Sequence, residues 1–518
     1  MEDNKLKKYF FIITLFIFCI GFCCLNCTPD NDLWARLIAG QHIVEKLTVA
    51  KHDFLSYTPT HPWYDHEWGA SIFFYSALKY FGHNGLILLK GILVALTLFF
   101  CFKTVELRKP LSTVSYNILY FVCMFLAMQK SLGATVRCLL FTCLFFSIFL
   151  YILERARLGK QKGLILLPLL MLLWSNIHGG CLSGIGLIGL YIVGEYFNKK
   201  PVKNYICTLL TSLGVLFINP YGWEYVKFLF MAGTMDRSFI TEWQSSFCEK
   251  FLYEYKQYKI YLFVMLTVIS TYFIKTKPSF EKIDKTKLLL LIAMTYLSIT
   301  KIRHQSFFVL TVGTLYYDEF YYLFNNLISK IKEIFQIHSK EFIETFVSIK
   351  EIIVYLLIIV MALPPILNTK KQITITTTEY PRYAIEFLRI NNITGNLLIN
   401  FDWGSYAAYK LYPHNLIYMD GRYEEVYPAK VFEDLKDFHL VKNDWYKIIR
   451  NYKTDVMILE KKYDVYNAIL NHPDWSLVFE NNLSGVFVPS TTKRDEYLYP
   501  IPYDAYYNNS LFNTDVKI

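Results

Sequence analysis

Charged residues are scarce in this sequence: 19% of its 518 residues are Asp, Glu, Lys or Arg, against 54% hydrophobic. That balance leaves too little polar surface to cover one large water-soluble domain. Cysteine is missing from everything after Cys248, and several of the earlier ones (Cys19, Cys101, Cys123, Cys143, Cys207) sit inside apolar runs. A disulfide framework is therefore not expected. No C-x-x-C pair has a second pair to match it, so nothing supports a structural zinc site. A Gly-Lys-Ser/Thr phosphate loop, a dinucleotide fingerprint and histidines paired at metalloprotease spacing are all lacking, which disfavours an ATP-driven pump. No small-x-small cleavage site follows the first apolar run, so residues 9–25 read as an uncleaved span rather than a signal peptide. There is no tandem repeat and no low-complexity segment.

What the sequence has in abundance is apolar runs. Residues 9–25, 85–102, 115–128, 138–153, 164–174, 181–196, 205–218, 260–274, 288–299, 307–328 and 352–367 are each long enough, or nearly so, to cross ~30 Å of hydrocarbon. The pattern predicts an α-helical polytopic membrane protein with about eleven transmembrane helices. Basic residues collect in alternate loops: Lys5, Lys7 and Lys8; Lys103, Arg108 and Lys109; Arg155, Arg157, Lys160 and Lys162; Lys199, Lys200 and Lys203; then 275–287 and 330–350. By the positive-inside rule these loops are cytoplasmic, and an odd number of spans sends everything after residue 367 to the outside. The formal charge of +10 belongs to this topology signal and not to a nucleic-acid surface.

The expected domains are a transmembrane part, 1–367, with a long extracytoplasmic first loop, 26–84; a Thr-rich linker, 368–378; and an extracytoplasmic α/β domain, 379–518. Within the first loop a helix over 32–46, a turn-rich stretch over 51–62 and an amphipathic stretch over 67–81 predict a segment lying along the membrane surface. In the last domain, helical stretches at 381–390, 405–411, 430–437, 445–452 and 465–470 alternate with strand-like ones at 396–400, 416–419, 455–459, 477–480 and 486–488.

Three sets of residues could carry chemistry. The first is the acids beside Trp in Pro29-Asp30-Asn31-Asp32-Leu33-Trp34 and in His61-Pro62-Trp63-Tyr64-Asp65-His66-Glu67-Trp68. Neighbouring, half-buried carboxylates act as general bases or gather a divalent cation; the alternative for Asp30 or Asp32 is a helix N-cap, with Trp anchoring the helix at the interface. The second set is Arg137, His178 in an Asn-Ile-His-Gly-Gly turn, the Asn219-Pro220-Tyr221-Gly222 turn, Glu242-Trp243, and Arg303-His304. Each could be an ordinary loop residue, yet the topology puts all of them on the outer side with Asp30, Asp32 and Glu67, and ionisable groups converging on one membrane face define a candidate site. Arg137, His178, Arg303 and His304 suit an anionic headgroup such as a phosphate or diphosphate. The third set is Asn400-Phe401-Asp402-Trp403-Gly404 and Asp420-Gly421-Arg422, for which the alternative is two strand ends with turn-forming Asp and Gly.

The D-x-D-L-W segment after the first span and the H-E-W segment before the second resemble the glycosyltransferase C superfamily of polytopic membrane transferases, particularly bacterial members carrying both segments. The resemblance covers residues 9–328. It implies transfer of a sugar from a polyprenyl phosphate or diphosphate on the outer face of the cytoplasmic (inner) membrane, to a glycan, lipid or protein acceptor. It also implies that an acid of the first outer loop is the catalytic base or, in some branches, a ligand of a divalent cation: Asp32, with Asp30 as the alternative and Glu67 as the second acid, and the same three for any metal. Donor phosphate would fall to Arg137, His178, Arg303 and His304. The third set is loosely similar to the W-W-D-Y-G region of oligosaccharyltransferase catalytic subunits, which there helps bind the acceptor, and assigns Asp402, Trp403, Gly404, Asp420 and Arg422 that role. Phe401 stands where that region has its second Trp. The expected partners are a lipid-linked sugar donor and membrane lipids, with no nucleic acid. The competing reading is a non-enzymatic transporter or scaffold for lipid-linked saccharides, which would place ionisable groups near the bilayer midplane on broken helices.

Overall fold

A computed structural model describes residues 2–25, 27–108, 114–235, 237, 240–334, 340–367, 373 and 375–492. The expected linker 368–378 is thus described only at 373 and 375–378, and the last 26 residues of the expected C-terminal domain, 493–518, lie outside the described residues.

The chain divides into two compact units, 1–27 with 87–371 and 28–86 with 372–518. Residues 28–86, expected as a loop of the transmembrane part, thus group with the C-terminal residues. The physical reason is in the pairing: Tyr57 N–H donates to Ile417 O (3.1 Å), Ile417 N–H to Leu55 O (2.9 Å) and His61 N–H to Val426 O (2.7 Å). The turn-rich stretch 51–62 thereby satisfies backbone groups that the sheet edge would otherwise leave unpaired.

The first unit is helical. Among the described residues five helices are long and apolar enough to cross a membrane: Lys8–Leu25, Trp68–Glu106, Leu139–Arg157, Gly179–Phe197 and Lys256–Thr276. The count of about eleven is not reached by that measure, because other expected spans form shorter apolar helices such as Ile118–Ala127, Gln161–Ile177 and Ile353–Leu367. The run 307–328 is not one continuous helix, since a helix Gln305–Leu315 ends at Tyr316 and a second, Tyr317–Ile334, follows. Helix Trp68–Glu106 bends at Gly82, whose φ of 59° and ψ of −152° leave helical space without the Cβ clash another residue would meet.

The second unit is built on a five-stranded sheet. Its strands are β1 (Gly395–Ile399), β2 (Asn415–Ile417), β3 (Val456–Glu460), β4 (Trp475–Glu480) and β5 (Ser484–Pro489), in the order β2-β1-β3-β5-β4. β1 is parallel to both β2 and β3, while β5 runs antiparallel to β3 and β4. The α/β character expected for the C-terminal part is what forms. Helix Asn31–Lys46 packs on helix Phe401–Leu411, with Trp34 fully buried against Tyr380, Tyr406 and Tyr409. Gly40 lets the first of these helices approach helix Trp68–Glu106, for a Cβ there would lie 2.1 Å from Ser71 O.

Candidate functional site

In the second unit the acids of the first loop take different places. Asp30 is the N-cap of helix Asn31–Lys46, accepting from the Asp32 N–H at 3.2 Å. Such a cap contributes about 1 kcal/mol, and it is the structural alternative weighed from the sequence. Asp32 follows in the first turn, exposed, and its carboxylate lies against the Asp420-Gly421-Arg422 turn: a Cβ on Gly421 would meet Asp32 Oδ1 at 2.6 Å. Two motifs nearly 400 residues apart are thus brought together.

Glu67 belongs to a buried cluster around Arg36, a residue that sequence reasoning did not single out. The Arg36 guanidinium pairs with Asp65, reaches Glu67 Oε2 at 3.3 Å and Glu425 Oε2 at 3.3 Å. Trp63 Nε1–H donates to Glu425 Oε2 at 2.6 Å, and His66 Nδ1 lies 3.1 Å from Glu425 Oε1. Burial, with Glu425 and Glu67 close by, raises the Asp65 carboxyl to about 6 against the opposing pull of Arg36. Burial works the same way on Glu425, but there Arg36 and His66 outweigh it and hold the carboxyl below its usual range. Among the described residues the one group with metal-holding geometry is His66, Glu67 and Glu425. Of the expected set Asp30, Asp32 and Glu67, Glu67 belongs to that group, while Asp30 caps its helix and Asp32 lies against Gly421.

The residues assigned to an acceptor are mostly interior. Asp420 and Arg422 are 0% and 2% exposed. Arg422 pairs with Asp420 at 3.0 Å and Asp53 at 2.6 Å, and its guanidinium lies 4.7 Å from the centre of the Trp63 ring. Burial opposes the charge of Asp53, but Arg422 outweighs it and keeps that carboxyl low. Trp403 is buried and donates through Nε1 to Glu379 O at 2.7 Å. Gly404 sits where a Cβ would strike Met419 O at 2.1 Å. Arg422, held by Asp420, bolts the first-loop segment to the sheet through Asp53; of the five, Asp402 alone is exposed.

In the first unit the positive residues frame a cavity of about 160 Å³ whose lining includes Lys130, Arg137, Arg303, Glu242, Tyr255 and Gln305. Arg137 holds Glu242 through both guanidinium nitrogens, with Nη2 2.8 Å from Oε2. Burial works against that carboxylate, yet Arg137, with Arg303 and His178, lowers it to about 2, so it stays charged. Arg303 and Arg237 both lie over the Trp243 ring, at 4.5 and 4.7 Å, a contact that orients a guanidinium. Lys130 pairs with Glu254 at 2.7 Å. Neither Lys130 nor Arg237 stood out in sequence, since a lone basic residue in a polar loop carries no motif.

His178 is buried, beside Thr142 Oγ1, and its Nδ1 accepts from the Gly180 N–H at 3.2 Å, which leaves the proton on Nε2. His304 stacks on Phe307 with ring centres 6.0 Å apart and meets Trp243 edge-on. Burial, then Arg303, pulls its titration down to about 4, which favours the uncharged imidazole at neutral pH. Asn176 and Asn219 serve their own backbones: Asn176 Nδ2 donates to Leu172 O and Ile218 O, and Asn219 Oδ1 accepts from the N–H groups of Tyr221 and Gly222.

The described chain consists of a helical unit and a small α/β unit, and its fold is that of solved archaeal oligosaccharyltransferase structures. No protein-family model and no curated protein matches the sequence. Among solved structures it is similar to the oligosaccharyltransferase of Archaeoglobus fulgidus in its apo form, at 11% identity and a TM-score of 0.56 over 88% of this chain and 69% of that one. The same archaeal protein, AglB, in complex with an inhibitory peptide and a dolichol-phosphate aligns at 12% identity and a TM-score of 0.55, over 88% and 70% of the two chains. Its complex with Zn and sulfate aligns at 11% and 0.52, over 87% and 68%. At such identities the likeness is one of fold.

Proposed function

We propose that the protein is a membrane glycosyltransferase that moves a sugar from a polyprenyl-phosphate-linked donor to a glycan, lipid or protein acceptor on the outer face of the cytoplasmic membrane. The observation that carries this reading is the cavity whose lining brings Lys130, Arg137 and Arg303 together around a single acid, Glu242. Such a lining favours an anion, and a phosphate leaving group needs this compensation as its bond to the sugar breaks. The similar archaeal structure holds a dolichol-phosphate, which agrees with a lipid phosphate as the ligand.

In the reaction the acceptor oxygen or nitrogen forms a bond to the anomeric carbon, and the bond from that carbon to the phosphate oxygen breaks. The electron pair leaves with the phosphate, and the acceptor proton passes to a carboxylate. We assign that carboxylate to Asp32, which is exposed, whereas Glu67 is engaged by Arg36 and His66. Arg137 is steadied by Glu242 and Arg303 by Trp243, so the two guanidinium groups are held in place before the donor arrives.

The test uses the full chain in lipid nanodiscs. Undecaprenyl phosphate is expected to bind and to be weakened about tenfold or more by Arg303→Ala, with thermal stability nearly unchanged. Equal binding by the two proteins would overturn the assignment of the cavity. Failure of the intact protein to transfer sugar from any polyprenyl-phosphate donor, with binding retained, would favour a transporter or scaffold.

A further inference from the structure

The group His66, Glu67 and Glu425 in the second unit offers one nitrogen and two carboxylate oxygens, all within 4.8 Å of one another. Two of the residues are adjacent at the end of the first-loop segment, and the third comes from the short helix Tyr423–Val426 that follows Arg422. An imidazole distinguishes the group from a mere patch of acids. Its Nδ1 is 3.1 Å from Glu425 Oε1 and its Nε2 is 3.9 Å from Glu67 Oε1. Ligands at 2.0–2.1 Å around a tetrahedral ion stand about 3.3 Å apart; an imidazole gives an ion only one nitrogen, and through Nδ1 the Glu425 side already has that spacing, while the three ligand atoms, within 4.8 Å of one another, close by at most about 1.5 Å to reach it.

Charge points the same way. Asp65, Glu67 and Glu425 surround Arg36, which is the one guanidinium pairing with all three. With His66 uncharged, as a metal ligand must be, the ionised set carries a formal excess of two negative charges, in a place where the Glu425 and Asp65 side chains are each only 4% exposed. Buried charge without compensation costs several kcal/mol per ion, and a dication cancels the excess. We infer that His66, Glu67 and Glu425 bind a divalent transition-metal ion of the zinc type, with water completing the coordination. The mixed nitrogen and oxygen donors suit zinc, cobalt or manganese better than calcium or magnesium, which prefer all-oxygen shells. The ion would tie the first-loop segment to the C-terminal residues of the same unit, so its role is to hold the unit together. It is separate from the assignment of Asp32 as the base, and its test needs no sugar donor.

The experiment takes the purified full chain in detergent, stripped with EDTA and titrated with Co²⁺ and then Zn²⁺. One equivalent of Co²⁺ is expected to give a visible d–d band that Zn²⁺ abolishes, and Zn²⁺ is expected to raise the melting temperature. His66→Asn should lose the band and weaken Zn²⁺ binding about a hundredfold or more, while melting like the stripped wild type. Absence of the band and of the melting shift in the wild type overturns the inference, as does their survival in His66→Asn. If that variant does not fold, His66→Gln and the stoichiometry of Zn²⁺ on the wild-type protein by elemental analysis decide: less than half an equivalent rejects the site.

Discussion

At the scale of single residues, Asp32 is the position on which the proposed chemistry turns. Asp32→Asn keeps size and most hydrogen bonding but removes the charge, so turnover should fall by about a hundredfold or more while folding and donor binding persist. Steady-state transfer with a melting curve on the same preparation checks it. Gly421→Ala approaches the same group from outside. The new methyl would stand 2.6 Å from Asp32 Oδ1, so it displaces the carboxylate at little cost in stability, and it should lower kcat with a melting point nearly unchanged. Unaltered kcat in both variants would remove Asp32 from the reaction. Asp32 was legible in the sequence because acids beside Trp at the end of an apolar run are unusual. Arg36, Glu425, Lys130 and Arg237 were not, because none sits in a recognisable motif.

At the scale of elements, the segment 53–65 behaves as a clamp on β2, and Arg422 is its bolt. Arg422→Met removes the cation that, among the described residues, pairs with Asp53 and Asp420, leaving two buried carboxylates without it. The expected cost is about 3–5 kcal/mol, read as a large drop in melting temperature or loss of folded protein. A merely weakened ligand affinity, with stability intact, would support the acceptor-binding role that the resemblance assigns to Arg422.

The loops around the cavity make a second test, through pH. His304 titrates at about 4 in the folded protein against an ordinary 6.5. The unfolded chain therefore gains its proton first, and stability falls as pH drops from 6.5 to about 4. Glu242, lowered from 4.5 to about 2, contributes stability that is complete above 4.5 and is lost between 4.5 and about 2. His304→Phe should flatten the upper part of the acid limb of a melting-temperature profile, and Glu242→Gln the lower part.

At the scale of the whole molecule, the alternating basic loops predict an N-terminus inside and a C-terminal part outside. Reporter fusions after Lys162 and after Thr378 should report opposite sides of the membrane, and two reports from the same side would remove the reason for grouping the outer residues. The sequence by itself determined that most of this chain is apolar helix and that a small α/β part follows, because hydrophobic run length and periodicity are local properties that lipid and sheet both read directly. It also marked Asp32, Glu67, Arg137 and Arg303 as worth attention. Only the tertiary structure decided that residues 28–86 group with the C-terminal residues, that Arg422 and Asp420 are interior, that His304 lies beside Trp243 and Phe307, and that Glu425 stands beside His66 and Glu67. Those outcomes depend on backbone pairing, burial and charge balance between residues hundreds of positions apart, and no local pattern in a single sequence encodes which distant partner a lone polar residue will meet.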